Sequence, residues 1–408
     1  MPRVLMVAYH FPPHSGTSGV QRALRFSSYL PDFGWDPIVL TAHPGVYDHR
    51  SPDLLAEVRD DMPVIRAPAL DARKHLAIAG RYPAVFARPD RWRSWWWGAV
   101  PAGLIAIRRF KPDAIWSTYP IATAHRISCT LARLTRLPLV ADFRDPMAQE
   151  GYPSDPATWR SFERIERRTV GLAARSVFTT PGARESYRRR YPAQAERFEV
   201  IENGYDEKAF EDAPYSESPL TPRKMTLLHS GVIYPAERDP NELFAAIAML
   251  KKETPELFGR LLVRFRASMA DRLLYELAER YDVSTAVEIC GAMPYREALG
   301  EMQAADGLLI LQASSCNEQI PAKFYEYLRA RRPLILLSDS AGDTAHVARQ
   351  AGIDDMASLH DRHEIFLLLK RFLNEDKQLL PSDDAIAAAS RYARTKELAS
   401  VLDKAIGK

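Results

Sequence analysis

Short runs of apolar and β-branched positions alternate along this chain with stretches whose apolar residues recur every three to four positions. The first kind fits strands buried on both faces, the second amphipathic helices. In the first half the pattern predicts strands at 4–9, 37–41, 64–67, 114–117, 139–143, 176–179 and 198–202. Helices are predicted from a Ser18 cap to about residue 30, then over 103–110, 122–136, 157–172 and 183–190. The pattern breaks near 203–218, where an Asn203-Gly204 turn signal is followed by Pro, Ser and acidic residues. A second alternation then begins. Strands are predicted at 225–230, 261–266, 286–290, 308–311 and 334–337, with helices at 242–251, 271–280, 296–304, 321–329 and 343–350. The stretch 384–404 reads as helical, with no strand after it.

Strand–helix alternation of this kind implies parallel sheets covered on both faces, an α/β class. Two such series predict two Rossmann-like, doubly wound domains facing each other across a cleft. The expected boundaries are a first domain at 1–205, a linker at 206–222, a second domain at 223–383, and a C-terminal helix at 384–408 packing back on the first domain. Ligands of open α/β sheets bind at the carboxyl ends of the strands. The cleft is therefore where chemistry is expected.

Composition adds limits. The 408 residues are 46% hydrophobic and 26% charged, enough for two substantial cores. The net charge of +3 conceals an asymmetry: residues 1–205 carry +9 and the remainder −6. A basic first half suits anionic lipid or a phosphorylated acceptor; an arginine-rich surface without a partner fits equally well. Nucleic acid is not an expected partner, because no compact Lys/Arg run with interleaved aromatics occurs. The three cysteines, Cys129, Cys290 and Cys316, are far apart in sequence. They suggest neither a disulfide framework nor a zinc site, and a reducing cytoplasm fits them best. No run reaches the length of a membrane helix. The longest candidate, 94–107, contains Pro101, and the apolar run 4–8 is too short for a signal peptide. Trp92, Trp95, Trp96 and Trp97, between Arg91 and Arg93 and the next helix, suit either core packing or a membrane interface.

The most informative segment is SSCNEQIPAKFYEY at 314–327, directly after a predicted strand. Pro321 fits the first turn of a helix, where its missing N–H costs nothing. The free N–H groups of that helix start make an anion site suited to a diphosphate. Lys323 in the first turn opposes the helix dipole and makes better sense if a bound anion offsets it. Glu326, one turn on, can accept hydrogen bonds from vicinal hydroxyls such as those of a ribose. Glu318 precedes the helix. A solvated helix start with incidental charges is the alternative.

Seven residues separate Glu318 from Glu326, and this spacing resembles the Glu-x7-Glu signature of family 4 glycosyltransferases of the GT-B fold. The resemblance runs through most of the chain. YHFPPHSGTSGVQRALRFSSYL is similar to that family's opening strand, glycine-containing loop and first helix, and IWSTYPIATAH and ADFRDP resemble its N-domain cleft segments. VIENGYD resembles the passage between its domains. HSGVIYPAERDP resembles the opening strand and phosphate loop of the donor domain, and GAMPYREALGEMQAADGLLIL the approach to the signature. The resemblance implies a retaining transferase that takes a sugar from a nucleotide diphosphate donor to a glycan or lipid-linked acceptor, in surface polysaccharide or lipopolysaccharide assembly. It implies a cytoplasmic enzyme, peripheral at the inner face of the membrane. By the same resemblance, Lys323 and Arg238 neutralise the leaving diphosphate, Glu326 holds the ribose and Glu318 contacts the sugar. His125 touches the sugar and reacting region, Gly16 and Gly19 let backbone approach the donor phosphate or acceptor, and Asp145 orients an acceptor hydroxyl.

No metal or other cofactor is implied, the diphosphate being neutralised by side chains and a helix end. The sequence departs from the family where Gln319-Ile320 replace the usual glycines and Pro321 follows Glu318 after three positions instead of five. Arg238 is followed by Asp239-Pro240-Asn241 with no lysine, which leaves Lys323 as the second cation. His125 also fits an ordinary core or capping histidine. Gly16 to Gly19 is not a dinucleotide fingerprint, and no acidic residue ends the second strand, which argues against a nicotinamide enzyme. His360 and His363 lack further ligands for a metal. Two rival readings are a nucleotide-sugar epimerase of the same fold and a non-catalytic partner protein at a membrane surface.

Overall fold

In the computed structural model the apolar runs become two wholly parallel sheets. It describes residues 1–15, 19–77, 81–214, 218–375 and 380–408. The chain divides into one unit of Met1–Asn203 with Arg391–Lys408, and a second of Gly204–Ser390.

The first sheet has seven strands: β1 Arg3–Val7, β2 Asp36–Ala42, β3 Val64–Ala67, β4 Ala114–Thr118, β5 Leu139–Arg144, β6 Arg175–Phe178 and β7 Phe198–Val200. Their order is β3-β2-β1-β4-β5-β6-β7. The second sheet has six: β8 Met225–Ser230, β9 Leu261–Arg266, β10 Val287–Cys290, β11 Gly307–Leu311, β12 Leu334–Leu337 and β13 Met356–Ala357, ordered β10-β9-β8-β11-β12-β13. In each unit the order reverses beside the first strand. That leaves a topological switch point at the carboxyl ends of β1/β4 and of β8/β11, where doubly wound folds bind ligands. Apolar residues line both faces of each sheet, with Leu5, Val7, Leu40 and Phe143 on one side of the first and Val4, Met6 and Trp116 on the other. This is why these strands read as near-continuous apolar runs instead of alternating ones.

Several elements differ from expectation. β13 escaped notice because two residues carry too little pattern. The helices Pro255–Arg260 and Arg362–Leu373 were also unforeseen. The helix expected at 103–110 is Trp95–Phe110 and runs through Pro101. Burial of Trp95, Ala99 and Val100 in the first core holds its early turns, so packing overrides the lost backbone bond. Trp92 and Trp96 pack partly against the same core, whereas Trp97 is 71% exposed. The predicted Ser18 cap lies outside the described residues.

Boundaries differ too. The segment expected as a linker contains the helix Glu207–Glu211, which buries Ala209 and Phe210 in the second unit's core. The C-terminal stretch is two helices, Asp383–Ala388 in the second unit and Arg391–Ile406 in the first. The latter buries Leu398, Val401 and Leu402 beside Phe26, Trp116 and Ile201. Its Arg394 pairs with Glu202 at 2.6 Å, and Asp403 accepts from Trp35 Nε1 at 3.1 Å.

The first unit also contains a buried ion pair. Arg22, on the helix Gly19–Tyr29, donates to both carboxylate oxygens of Asp142 on β5, at 2.8 and 3.0 Å. The same guanidinium donates to the carbonyls of Ile201 and Glu202, both at 3.0 Å. It ties the first helix to the carboxyl ends of β5 and β7. Among the described residues, no helix is long and apolar enough to cross a membrane.

Candidate functional site

In the second unit the site is built at the carboxyl end of β8. The strand ends at Ser230, whose N–H donates to the Tyr327 hydroxyl at 2.8 Å. Gly231 follows with φ +115°, a conformation L side chains rarely adopt, and its N–H donates to the Arg266 carbonyl. A Cβ at Gly231 would lie 3.1 Å from Lys323 Nζ. The glycine therefore supplies both the turn and the room for the lysine.

Lys323 is the second residue of the helix Ala322–Ala330, which opens one residue later than the sequence suggests, with Pro321 at the cap position and no side-chain cap. Its ammonium lies 3.1 Å from His229 Nε2. His229 Nδ1 is 2.9 Å from the Leu309 carbonyl, which can only accept, so Nδ1 carries the proton and Nε2 accepts from the lysine. Burial, then the charge of Arg238, pushes Lys323 down to about 7, partly opposed by Glu326. Burial and the adjacent lysine hold His229 well below the usual histidine range. The Arg238 guanidinium donates to the Val232 carbonyl at 2.5 Å and lies 5.1 Å from the Tyr234 ring centroid. Lys323 thus sits at an uncapped helix start with Arg238 near enough for its charge to act on the lysine, an arrangement that a bound anion would stabilise.

Glu326, half-buried one turn further on, accepts from the Tyr295 hydroxyl at 2.7 Å. Glu318 is exposed on a loop whose backbone is well anchored. Gln312 donates to the carbonyls of Cys316 and Gln319 at 2.7 and 2.9 Å, and Asn317 donates to Asp339 at 2.7 Å. Sequence reasoning missed a cavity of about 570 Å³ at the carboxyl ends of β11, β12 and β13, lined among others by Gln312, Ser338, Asp339, Ser358 and His360. Ser338 Oγ is buried there without a hydrogen-bond partner among the described residues. Ser-Asp-Ser directly after the strand Leu334–Leu337 was the available signal.

In the first unit, His125 lies in the opening turn of the helix Ala122–Thr135 and is fully buried. Its Nδ1 is 2.8 Å from Ser117 Oγ, near the end of β4, and its Nε2 has no partner among the described residues. Burial pushes it down to about 4, so it is neutral at ordinary pH. Gly19 opens the first helix. A Cβ there would lie 2.7 Å from Arg144 Nη1 and 2.8 Å from His10 Nδ1, so close approach requires the glycine. Asp145 is exposed beside Arg144. Gly16 lies outside the described residues.

Sequence reasoning also missed a pocket-like set of rings after β1. His10 and His14 are 4.8 Å apart, and Tyr9 lies 4.5 Å from Trp92. Tyr9 Oη, His10 Nδ1, His14 Nδ1, Trp92 Nε1 and Trp95 Nε1 are all buried without partners among the described residues. Burial, then His14, lowers His10 to about 3, and burial lowers His14 to about 4. Native proteins rarely leave so many buried polar atoms unpaired in one place unless a ligand or water meets them. The YHFPPH run after the strand was the signal.

The family described as "Glycosyl transferase 4-like domain" matches residues 18–204. No curated protein matches the sequence. Among solved structures, HepE from Anabaena in complex with UDP is similar at 14% identity and TM-score 0.66, covering 99% of this chain and 100% of its own. A sucrose-phosphate synthase from Thermosynechococcus elongatus is similar at 15% identity and TM-score 0.62, covering 100% and 96%. WaaG, a glycosyltransferase involved in lipopolysaccharide biosynthesis, is similar at 14% identity and TM-score 0.57, covering 98% and 95%. At these identities the likeness establishes the fold.

Proposed function

From the membership of residues 18–204 in the glycosyl transferase 4-like domain family, and from the GT-B fold of the chain, we propose that this protein is a retaining glycosyltransferase. It moves a sugar from a nucleoside diphosphate donor to a glycan or lipid-linked acceptor. The observation that carries this reading is Lys323 at the uncapped start of the helix Ala322–Ala330, with the charge of Arg238 acting on it. Cations held in a sheltered site stabilise the charge that develops as a diphosphate departs.

The cavity beyond β11–β13 takes the nucleoside, with Glu326 on the ribose hydroxyls and Glu318 toward the sugar. HepE was solved with UDP and with UDP-glucose, so uridine donors head the candidates. In the first unit, His125 is a neutral imidazole with an unfilled Nε2, suited to a hydroxyl of the sugar or acceptor. The unpaired ring atoms of Tyr9, His10 and His14, with the backbone at Gly19, give the acceptor a polar floor, and Asp145 orients its hydroxyl. Neutral histidines add no charge to compete with the diphosphate. The leaving phosphate takes the proton of the incoming hydroxyl on the same face, which preserves the anomeric configuration without a side-chain nucleophile. The side chains and helix start balance the diphosphate without a metal.

Surface polysaccharide or lipopolysaccharide assembly is the pathway that fits, and the enzyme works in the cytoplasm at the inner membrane face. The test is donor binding and slow donor hydrolysis across a panel of nucleotide sugars, with product stereochemistry read by NMR. One donor bound selectively and turned over with retention supports the reading. Binding without turnover under any acceptor condition would favour a non-catalytic partner instead.

A further inference from the structure

A cavity of about 450 Å³ lies wholly within the first unit, between the loop 88–93, the helix Ala122–Thr135 and the helix Pro156–Leu172. Among the described residues six arginines line it, Arg88, Arg93, Arg126, Arg160, Arg164 and Arg168, and no carboxylate does. Arg160, Arg164 and Arg168 fall four residues apart, so one helix face directs all three to the same side.

The few partners present do not balance this charge. Arg88 reaches Asp155 at 3.5 Å, yet its Nε is buried without a hydrogen-bond partner. Arg93 donates to the Val85 carbonyl, and the Arg126 guanidinium stacks 5.3 Å from the Trp96 ring centroid. Arg126, Arg160, Arg164 and Arg168 form no ion pair with a described carboxylate. Burial of Arg126 beside Arg93 and Arg168 disfavours its charge, Asp90 opposing only in part. Arg160, Arg164 and Arg168 are exposed along one wall, whereas Arg88, Arg93 and Arg126 are half-buried. Water screens the repulsion among the exposed three, so the half-buried three carry most of its cost, and an anion seated among all six would relieve it. Arginine forks match phosphate oxygens bidentately, and a phosphate concentrates charge and acceptors as a lone carboxylate does not.

We propose that this cavity is a binding site for a diphosphate or a cluster of phosphate groups, separate from the donor site. The pocket takes such a group either from a soluble phosphorylated molecule or from a lipid headgroup. The exposed Trp97, whose ring lies 4.6 Å from Trp96, sits near the arginine-stacked ring and offers an apolar contact to a bilayer.

The test uses the full chain with Lys323→Ala and Arg238→Ala, so that the other cation pair cannot bind the probe. Inorganic pyrophosphate is titrated calorimetrically into this protein and into one that also carries Arg160→Ser, Arg164→Ser and Arg168→Ser. Circular dichroism checks that both are folded. Saturable binding, weakened at least about tenfold in the second protein, is expected. In a parallel arm, both proteins are sedimented with phosphatidylcholine vesicles containing phosphatidic acid. Vesicle binding that is lost with the three serines and displaced by pyrophosphate would assign a lipid headgroup. Pyrophosphate binding without vesicle binding would assign a soluble ligand. The proposal is overturned if neither probe binds saturably, or if both proteins bind both probes alike.

Discussion

Lys323 Nζ donates to His229 Nε2 across 3.1 Å, so the strand β8 and the helix Ala322–Ala330 meet through a lysine and a neutral imidazole, not an ion pair. A histidine locked with its proton on Nδ1 can hold the ammonium without cancelling its charge. The charge remains available to a phosphate, at the expense of stability. Lys323→Met should therefore lower kcat/KM with the donor by about 10²–10³-fold. The same change should move the calorimetric Tm by only a few degrees, because relief of the repulsion between Lys323 and Arg238 is offset by the buried His229 Nε2 left without its donor. A variant that loses activity only by unfolding would contradict this.

The lysine's depressed value sets a pH dependence. Free Lys323 titrates at about 7 against an ordinary 10.5, so the unfolded chain holds the extra proton between those values. Unliganded stability should rise with pH across that window and level off above it. A bound diphosphate restores the charged form, so binding takes up a proton above pH 7 and weakens as pH rises. Calorimetric titration of UDP at pH 8, in buffers of different ionisation enthalpy, measures that uptake. Equal uptake by Lys323→Met would show that another group is responsible.

Gly231 connects the turn to the lysine. Alanine at φ +115° is strained by about 1–3 kcal/mol, and its Cβ would press on Lys323 Nζ. Gly231→Ala should lower both Tm and donor kcat/KM, the latter by roughly ten- to a hundredfold, since small displacements of a positioned group are costly. A kcat/KM equal to wild type would mean that the lysine has another path to the phosphate.

Much of this was legible because strands buried on both faces leave unbroken apolar runs, and because a proline, a lysine and a glutamate at helical spacing mark a helix start. Leu261–Arg266 and Leu334–Leu337 were readable to the residue for the first reason, and the place of Lys323 and Glu326 in the opening turns of a helix for the second. His229 was not legible. Within HSG it is one more strand residue, and only the β8–β11 pairing brings it against Leu309 and the lysine. The six-arginine cavity draws on three separated segments, so the sequence exposed only the excess charge. The return of the C-terminal helix to the first unit was expected, but its start at Arg391 was hidden, because Ser390 and its neighbours keep a helical composition through the break.

The buried pair Arg22–Asp142 offers a separate test of the first unit. Two parallel donations and two backbone carbonyls satisfy the guanidinium, and Thr118 Oγ1 donates to Asp142 at 3.1 Å. Removing one partner strands the other in the core, which costs about 3–5 kcal/mol, whereas removing both can be nearly neutral. Asp142→Ala and Arg22→Met should each destabilise by that amount, and the double variant by clearly less than their sum. All 7 tryptophans fall between Trp35 and Trp159, inside the first unit. Tryptophan fluorescence in urea therefore follows this unit's unfolding without interference from the second. Additive losses would mean that the two side chains stabilise the fold independently, through Thr118 and the Ile201 and Glu202 carbonyls, and that the ion pair itself contributes little.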